Sequence, residues 1–384
     1  MYIRQIHVSN FRSLKDTKVG ELKELVIFYG HNNSGKSNIL SFLEVFFSAK
    51  DQTFVREIRD ENFLPPDQPK VFWRGYIQNF GDNFYKNNNE PIIFKVLINI
   101  STNELLSING LPKDIKDYFE SNRKKTVHYL CIRGNIAKVV NNIALMTTDH
   151  MELDNIDFYN PLGEEGKIHL GGFVIAKEDK LRSFESIISL LNNCFFKIPT
   201  NRFLMNEKEL QRVDQQDIDS SSFKNWLMKI SLDRESRFIF DEIKNQMKNE
   251  PFEYGDVSIA RTSDNDIDIF IENKSHLKLP ISHIGSGVQQ TLVILSQISN
   301  SQSPIIGIEE IEINLSPLSQ KVLFNNLKEL IDTKKSKINQ IIITTHSPHI
   351  GKRDDAVRRA VSIKDGITEV KKPSESEIES FFST

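Results

Sequence analysis

The chain has 384 residues, of which 39% are hydrophobic and 26% charged, so it is long enough for two or three domains and can bury a core. Its 49 basic and 52 acidic side chains give a formal net charge of −3. That balance excludes binding of nucleic acid by bulk positive charge but not by a local basic groove. Two cysteines, Cys131 and Cys194, exclude a disulfide framework. There is no apolar signal region and no run of about 18 apolar residues, so we expect a cytoplasmic protein without a membrane partner.

The first fifty residues predict two strands and a helix. Apolar residues at 3, 6 and 8 indicate the first strand, and a polar link follows it. The run 25–29 is apolar throughout, which is typical of a strand buried on both faces of a sheet. It ends at Gly30, and apolar residues from Ile39 to Phe47 then share one face of a helix. The order is therefore strand, loop, helix.

The rest of the chain alternates between strand and helix patterns. Between 70 and 200, short apolar runs separated by Asn, Asp and Gly predict antiparallel strands, and Pro199 ends the last of them. Residues 205–250 predict helices. Further strands are predicted at 266–271, 305–308 and 341–345, helices near Val288 and Leu318, and a last strand at 359–363.

Residues 30–37, Gly-His-Asn-Asn-Ser-Gly-Lys-Ser, match the phosphate-binding pattern G-x-x-x-x-G-K-[ST] at every fixed position. Gly30 and Gly35 allow the backbone to wrap a phosphate, and the helix N-terminus adds a positive dipole end. Lys36 is expected to reach the β- and γ-phosphates and Ser37 to bind Mg²⁺. The other candidate nucleotide contacts are Asn32, Asn33, Ser34 and Asn38. An ordinary glycine-rich turn would not need the buried strand before it and the amphipathic helix after it.

A second apolar strand, 305–308, delivers Glu309 and Glu310. The first carboxylate can hold Mg²⁺ through its water shell, and the second can polarise an attacking water. The alternative is a solvated acidic turn, since Glu312 lies close by in the sequence.

Two further segments carry candidate phosphate contacts. Gly285, Ser286 and Gly287 open a predicted helix whose N–H groups form an anion site, although Gly-Ser-Gly by itself is more often a loop. His346 follows the buried strand 341–345. A lone histidine there is usually structural, but this one follows the acidic strand by one helix, as expected for a group that touches a γ-phosphate.

In this order and spacing, the four segments resemble the ATP-binding-cassette (ABC) ATPases of the SMC/RecF-like branch. The opening residues 10–16, Asn-Phe-Arg-Ser-Leu-Lys-Asp, are similar to the start of those proteins. The runs 285–290 and 309–312 look most like the OLD-like ATPases, with Ile311 in place of the proline of a Glu-Pro-Glu run. The resemblance implies an α/β fold, an ABC ATPase head (P-loop NTPase) with a mixed sheet, an antiparallel β subdomain and a helical lobe.

The resemblance also implies roles for individual residues. The Walker A set would be Gly30, Gly35, Lys36 and Ser37, and the Walker B carboxylate and catalytic base would be Glu309 and Glu310. Ser286 and Gly287 would be a signature motif that completes the site of an opposite subunit, His346 a switch histidine, and Arg12 a nucleotide contact. The glutamine that couples metal to the helical lobe is left open among Gln211, Gln215 and Gln216. Mg²⁺ and ATP, hydrolysed to ADP and phosphate, would be the ligands.

Three segments are expected: an N-terminal nucleotide-binding lobe with a β-rich insertion (1–200), a helical insertion (201–255) and a C-terminal lobe (256–384). OLD-like proteins often continue into a TOPRIM nuclease domain, and no acidic cluster with nuclease spacing follows His346. We therefore expect an ATPase head that acts on a separate effector.

Three functions remain open at this point. The first is an ATPase whose ATP-sandwiched homodimer, or higher homo-oligomer, gates a separate effector such as a nuclease, in bacterial anti-phage defence. The second is a RecF-like repair or maintenance ATPase that binds DNA directly, through basic residues at 123–125 or through Lys180 and Arg182. The third is a scaffold that binds ATP without hydrolysis, which Glu310 argues against.

Overall fold

In the computed structural model, the described residues are 1–48, 50–55, 72–78, 80–87, 90–108, 111, 113–121, 125–140, 143–154, 156–157, 167–170, 173–176, 186–187, 190–191, 194–202, 204, 207–208, 222–262, 266–334 and 336–383. The helices are α1 (Lys36–Phe47), α2 (Thr102–Leu106), α3 (Lys113–Ser121), α4 (Phe223–Leu232), α5 (Arg237–Lys248), α6 (Ser286–Asn300), α7 (Pro317–Asp332), α8 (Pro348–Gly351) and α9 (Glu375–Phe381).

The strands are β1 (Tyr2–Phe11), β2 (Leu14–Val19), β3 (Leu25–Tyr29), β4 (Lys50–Val55), β5 (Phe72–Gln78), β6 (Ile92–Ser101), β7 (Val127–Val140), β8 (Ile143–Leu153), β9 (Ile156–Asp157), β10 (Lys167–Leu170), β11 (Phe173–Ala176), β12 (Phe195–Ile198), β13 (Glu207–Lys208), β14 (Asp256–Arg261), β15 (Asp266–Glu272), β16 (Lys278–Pro280), β17 (Ile305–Ile308), β18 (Gln340–Thr345), β19 (Val357–Lys364) and β20 (Ile367–Lys371).

The chain divides into two compact units. Unit 1 comprises Met1–Phe195 and Ala356–Pro373, and unit 2 comprises Phe196–Asp355 and Ser374–Thr384. The first break lies close to the predicted boundary at 200, whereas residues 356–373 return to unit 1. The finer division into three segments stays a prediction.

Unit 1 contains much of the predicted antiparallel region in an eight-stranded sheet that also includes β1, β2 and β4, whereas β10 and β11 form a separate two-stranded sheet. The order of the larger sheet is β2-β1-β6-β7-β8-β5-β4, with β9 paired to β8. Helix α1 packs on this sheet through aromatic rings: Phe42 lies 5.7 Å from Phe11 and Phe46 lies 5.3 Å from Phe94, centroid to centroid. Edge-to-face pairs of this kind add to simple burial. The core between α1 and the sheet is therefore built around phenylalanine.

Unit 1 also holds the parallel pair β3–β19, which continues into the hairpin β19–β20. Strand β3 is buried along its whole length, as its apolar run predicts. This arrangement brings the hairpin beside the loop that follows β3, because Ala360 pairs with Tyr29 at the end of that strand.

The structure corrects two sequence predictions in unit 1. The polar link after β1 contains a further strand, β2, whose Leu14, Thr17 and Val19 are buried while the residues between them are exposed. The threonine interrupts the apolar alternation that would have revealed the strand. The predicted last strand at 359–363 is followed by β20 in unit 1 and by α9 in unit 2, both of which short, polar-rich patterns conceal.

Unit 2 contains the helices predicted for the second half of the chain. In α4 the side chains of Phe223, Trp226, Leu227 and Ile230 are buried, as their spacing predicts. One correction falls in the predicted helical stretch 205–250, where residues 207–208 form β13 and pair with β15; most of the residues between 205 and 221 lie outside the described part of the chain.

The rest of unit 2 is built around two parallel strands. Strands β17 and β18 run parallel, with Ile305 opposite Gln340 and Ile308 opposite Ile343. Both strands are buried along their whole length. Their carboxyl ends therefore lie at one edge, which is where polar side chains of open α/β sheets gather.

Candidate functional site

The loop 30–35 in unit 1 requires glycine at both positions where its pattern specifies one. A Cβ on Gly30 would lie 2.1 Å from the carbonyl oxygen of Val361. Gly35 has φ +95°, and its Cβ would lie 1.9 Å from Thr368 Oγ1. Asn33 also has a positive φ, 62°. The loop thus curls tightly between β3 and the start of α1 at Lys36, as the sequence predicts.

Lys36 lies inside this curl. Its Nζ donates hydrogen bonds to the carbonyl oxygens of Gly30 and His31, both at 2.8 Å, and the residue is 4% exposed. The nearby Ser34 Oγ is a buried oxygen with no hydrogen-bond partner. A buried ammonium, an unsatisfied hydroxyl and a helix N-terminus are the groups that a phosphate requires. The donor set of unit 1 therefore fits a phosphate group.

Arg12 and Asn38, both of which are predicted to contact the nucleotide, lie together beside this loop. Arg12 Nη1 donates to Asn38 Oδ1 at 3.3 Å. Its guanidinium carbon lies 4.6 Å from the ring centroid of Phe84, a distance at which a cation and an aromatic face attract. Arg12 is thus held in place beside the loop.

A chain of hydroxyl contacts supports the loop from behind. Asn38 Nδ2 donates to Ser13 Oγ at 2.7 Å, and Ser13 Oγ lies 2.6 Å from Thr368 Oγ1. Thr368 Oγ1 in turn donates to the carbonyl oxygen of Ser34 at 3.2 Å. Neither Ser13 nor Thr368 was predicted to matter, because an isolated hydroxyl carries no sequence signal. Together they fix the position of Gly35 and of the helix start.

In unit 2, Glu309 and Glu310 follow β17 and His346 follows β18. Glu310 has φ +42°, and its N–H donates to Thr344 Oγ1 at 3.1 Å. Glu309 is 8% exposed. The pair therefore sits at a defined turn at the end of the two parallel strands.

Glu312 binds the histidine. His346 Nδ1 lies 2.9 Å from Glu312 Oε1, and the His346 N–H donates to the same oxygen at 2.6 Å. The Glu312 side chain is buried, whereas that of His346 is 45% exposed. The alternative interpretation as a solvated acidic turn is therefore wrong, since Glu309 and Glu312 are both buried. The carboxylate of Glu312 orients the imidazole and leaves the rest of the ring accessible.

Arg202 is the residue that sequence reasoning missed entirely. It is 1% exposed, and its guanidinium donates to the carbonyl oxygens of Glu309 at 2.8 Å and Glu310 at 2.9 Å. Burial lowers the pKa of the Arg202 guanidinium to about 10, and nearby carboxylates oppose that shift. Arg202 therefore carries a positive charge at neutral pH. A single arginine four residues after a strand gives no sequence signal for this role.

The Gly-Ser-Gly segment does open a helix, as predicted. Helix α6 begins at Ser286, which is exposed, with Gly285 as its N-cap. A Cβ on Gly287 would lie 3.0 Å from the carbonyl oxygen of Asn314, so this face of the helix packs closely on the segment after the acidic turn. Gln289 fixes the approach to the helix by donating to the carbonyl oxygens of Ile281 and Ile284.

The predicted metal ligands, Ser37 and Glu309, lie in units 1 and 2 respectively. Within the residues that the structure describes, no group of three or more His, Cys, Asp or Glu side chains forms a metal site. Mg²⁺ commonly uses one or two protein ligands together with phosphate and water oxygens, and the Ser37 hydroxyl and the Glu309 carboxylate each offer an oxygen of the kind that Mg²⁺ accepts. The described part of the chain also contains no helix that is both long and apolar enough to cross a membrane.

Several predicted residues cannot be placed. The three candidate coupling glutamines, Gln211, Gln215 and Gln216, lie outside the described residues, as do Lys180 and Arg182 and the first two residues of the basic run 123–125. Of the others, unit 1 brings together the loop, Lys36, Asn38 and Arg12. Unit 2 holds the acidic pair, His346 and the start of α6.

Comparison with known proteins identifies the family. A model of the AAA ATPase domain family matches residues 1–138 and 178–350. The chain is 26% identical over 245 residues to the DNA replication and repair protein RecF of Clostridium botulinum, which covers 56% of this chain and 65% of that protein. It is 22% identical over 354 residues to an ATP/GTP phosphatase of Helicobacter pylori, covering 90% and 85%.

Among solved structures, the SMC head domain from Thermotoga maritima matches with a TM-score of 0.45 and 10% identity, covering 97% of this chain and all of that one. The chain spans only 38% and 65% of the length of two of the relatives that it matches in sequence. The predicted α/β P-loop fold and the resemblance to RecF are confirmed, whereas the OLD-like subgroup stays a prediction. The family model covers more than half of the residues, and the chain therefore belongs to the family of AAA ATPase domains.

Proposed function

We propose that the protein binds ATP with Mg²⁺ and hydrolyses it to ADP and phosphate. The single observation that carries this proposal is the loop 30–35 with Lys36 buried inside it and donating to two loop carbonyl oxygens. This arrangement presents a charged donor at the N-terminus of α1, where a phosphate is stabilised. The family of AAA ATPase domains and the similarity to an ATP/GTP phosphatase support the same activity.

The residue roles follow from the chemistry of phosphoryl transfer, which depends on positioning and charge stabilisation. Lys36 would bind the β- and γ-phosphates. Ser37 and Glu309 would hold Mg²⁺, which neutralises charge on the phosphate oxygens when it is bound. Glu310 would orient and deprotonate the attacking water, and His346, whose ring Glu312 holds, would donate to the γ-phosphate.

We further propose that ATP joins two copies of the chain and thereby gates a separate effector. The exposed Ser286 at the start of α6 supports this, because a donor group at a helix N-terminus can bind the γ-phosphate of a nucleotide held by another copy. The OLD-like resemblance of the runs 285–290 and 309–312 supports a place in anti-phage defence, with an effector such as a nuclease.

Sedimentation velocity of Glu310→Gln with Mg²⁺ and ATP tests this proposal. The variant keeps the shape of the carboxylate but removes the base, so it should bind ATP and accumulate as the dimer. Glu235→Gln, at an exposed turn in unit 2, is the matched control and should behave as the parent protein does. If the sedimentation coefficient of Glu310→Gln is the same with and without ATP, ATP-driven dimerisation is contradicted.

A second candidate function is direct binding of DNA, which a row of basic side chains on the sheet of unit 1 favours. Paired positions on five neighbouring strands carry Lys18, His7, Lys95, Arg133 and His150, in that order across the sheet. At ~4.8 Å between strands, the row extends over ~19 Å. Lys18, Lys95 and Arg133 are exposed.

This row has an electrostatic cost that calls for an explanation. Like charges at directly opposed positions, such as Lys95 and Arg133, destabilise a sheet. Within the row, His7 bonds Asp16 at 2.5 Å and His150 lies 3.5 Å from Glu152. The hydrogen bond from His7 lowers the pKa of Asp16, so that carboxylate stays ionised. A polyanion such as the DNA backbone would relieve the repulsion, and the similarity to RecF supports this partner.

The salt dependence of binding to double-stranded DNA tests the second function. Each phosphate contact contributes about 0.9 to the slope of log K against log salt. Replacement of both Lys95 and Arg133 by alanine should therefore lower the slope by about 2. The control pair, Lys371 and Lys372, lies in the same unit and contacts Glu369 and Glu21; its double alanine variant should keep the slope. Equal slopes for the three proteins would remove the row from the interface.

A further inference from the structure

The guanidinium of the buried Arg202 donates hydrogen bonds to groups from several parts of the chain. Its Nη1 donates to the carbonyl oxygens of Pro199 and Glu309, and its Nη2 to that of Glu310. Its Nε donates to Gln290 Oε1 at 2.8 Å. One planar group thus bonds three separate segments of unit 2: the residues after β12, the turn after β17, and helix α6.

The contact to the acidic turn acts on the backbone of the proposed base. Glu310 has φ +42°, a conformation that costs a side-chain-bearing residue free energy unless its surroundings hold it. Both of its main-chain groups are held. The N–H donates to Thr344 Oγ1, and the carbonyl oxygen accepts from Arg202. Arg202 therefore helps to set the direction in which the Glu310 side chain leaves the turn.

The contact to α6 is made in both directions. Gln290 Oε1 accepts from Arg202 Nε, and Gln290 Nε2 donates to the main-chain oxygen of Arg202 at 3.3 Å. Gln290 is 1% exposed and lies one turn after Ser286, at the start of the same helix. A shift of α6 along or about its axis would therefore pull on the group that binds the Glu310 carbonyl.

The shape of the guanidinium explains why an arginine connects the acidic turn to helix α6. A buried cation is costly to desolvate, and replacing such groups by apolar ones often leaves stability unchanged or higher. Lysine is a point charge and cannot present donors in a planar fork to several fixed acceptors. The guanidinium is therefore suited to hold the turn and the helix in one relative geometry.

We propose that Arg202 is a positioning residue that joins the Glu309–Glu310 turn to the Ser286 end of α6, so that the orientation of the base and the position of the signature segment are set together. This inference rests on the proposed ATPase function. Arg202 touches neither the nucleotide nor the water in this assignment and acts only through the main chain of the acidic turn.

Steady-state ATP hydrolysis provides one test, with Arg202→Lys and Gln290→Leu compared with the parent. Misplacing a reacting group by an ångström costs about 100-fold in rate, so kcat of Arg202→Lys should fall about 10- to 100-fold while KM for ATP stays within about 2-fold. Gln290→Leu, which breaks only the helix contact, should show a smaller fall of the same kind.

The control is Arg353→Lys, since Arg353 in unit 2 also makes several donor contacts, two to Asp355 and one to Asn325, but none to the acidic turn or to α6. It should leave both kinetic constants unchanged. A parental kcat in Arg202→Lys would overturn the inference. So would a rise in KM equal to the fall in kcat, because that pattern indicates general loss of structure rather than misorientation of the base.

Amide hydrogen exchange of the nucleotide-free proteins separates this inference from the proposed function. Arg202→Lys and Gln290→Leu should both speed exchange in peptides that cover 308–312 and 286–292, whereas Arg353→Lys should not. If the exchange rate at 308–312 is unchanged in Gln290→Leu, the proposal that Arg202 connects the helix to the turn is overturned. If the parent protein hydrolyses no ATP, the ATPase assignment fails, and the exchange experiment still decides whether this connection exists.

Discussion

The phosphate-binding loop of unit 1 and the acidic turn of unit 2 are held in place by different chemistry. Around the loop, neutral hydroxyls of Ser13 and Thr368 pass hydrogen bonds to its backbone. The turn is instead held by the buried guanidinium of Arg202, with one hydroxyl, Thr344, on the other side. Apart from Lys36 inside it, the loop is thus supported by groups of low desolvation cost, whereas the turn depends on a charge from a distant part of the chain that only full hydrogen bonding makes tolerable.

The loop and the turn also differ in how far apart in the sequence the residues that determine them lie. Residues 30–37 contain the glycines, the lysine and the serine that shape the loop, so their sequence alone predicts it. The turn at 309–310 depends on Arg202, which lies more than a hundred positions earlier in the chain. The sequence around 309–310 alone therefore does not predict how this turn is held. We expect substitutions in the two regions to have different consequences.

The largest effect is expected for Lys36→Ala. No other side chain in the described loop supplies a positive charge at Gly30 and His31, and loss of a buried charged partner costs several kcal/mol. ATP affinity should fall by about 100-fold or more, measured by equilibrium titration. Lys15→Ala, at an exposed position of β2, should bind ATP as the parent does; undiminished affinity in Lys36→Ala would remove the loop from the nucleotide site.

Gly35→Ala should have the next largest effect, on stability. The positive φ costs about 1–3 kcal/mol for a residue with a Cβ, and the added methyl would also collide with Thr368 Oγ1. We expect urea denaturation to show a loss of about 2–4 kcal/mol. Gly285→Ala is the matched comparison, since it also precedes a helix but has φ −54° and open space around its Cβ; it should cost less than about 1 kcal/mol. Equal losses would mean that the loop is not constrained as described.

Thr368→Val and Thr344→Val should separate the two regions by function. Each removes one hydroxyl that holds a site backbone, and a lost hydrogen bond of this kind is worth about 1 kcal/mol. Thr368→Val should weaken ATP binding about 5-fold with little change in kcat, whereas Thr344→Val should lower kcat about 5-fold with ATP affinity unchanged. If both variants change the same constant, the assignment of binding to unit 1 and of base orientation to unit 2 is wrong.

The smallest effect, and one of unusual sign, is expected for Ser34→Ala. Its hydroxyl is buried without a partner, and such a group costs free energy in the folded state. Alanine should therefore stabilise the nucleotide-free protein by up to about 1 kcal/mol while weakening ATP binding. Thermal unfolding with and without ATP measures both signs. A variant that loses stability in the absence of ATP would show that the hydroxyl is satisfied.

Much of the architecture could be predicted because its patterns are local. The buried strand β3, the amphipathic α1 and the aromatic core around Phe42 and Phe46 follow from short apolar periodicities. Strands β2 and β20 could not be predicted with the same patterns, since Thr17 and Thr368 occupy inward positions that an apolar residue would have marked. Thr368 is polar there because it bonds the loop.

The site shows the same limit. Glu309, Glu310 and His346 were predicted from strand ends, and their neighbours β17 and β18 bring them to one edge. Glu312 was considered a solvated neighbour, yet it is buried and holds His346. Contacts of this kind depend on the packing of strands distant in sequence, so a single chain without its fold does not reveal them.

The most direct test of the account is a single-turnover experiment, in which excess protein is mixed with radiolabelled ATP and Mg²⁺ and the fraction converted to ADP is followed. The parent should convert its bound ATP, and Glu310→Gln should retain bound ATP while the conversion rate falls by about 100-fold or more, the range that a general base contributes. Conversion of bound ATP by Glu310→Gln at the parental rate would contradict the central claim that the turn after β17 supplies the catalytic base.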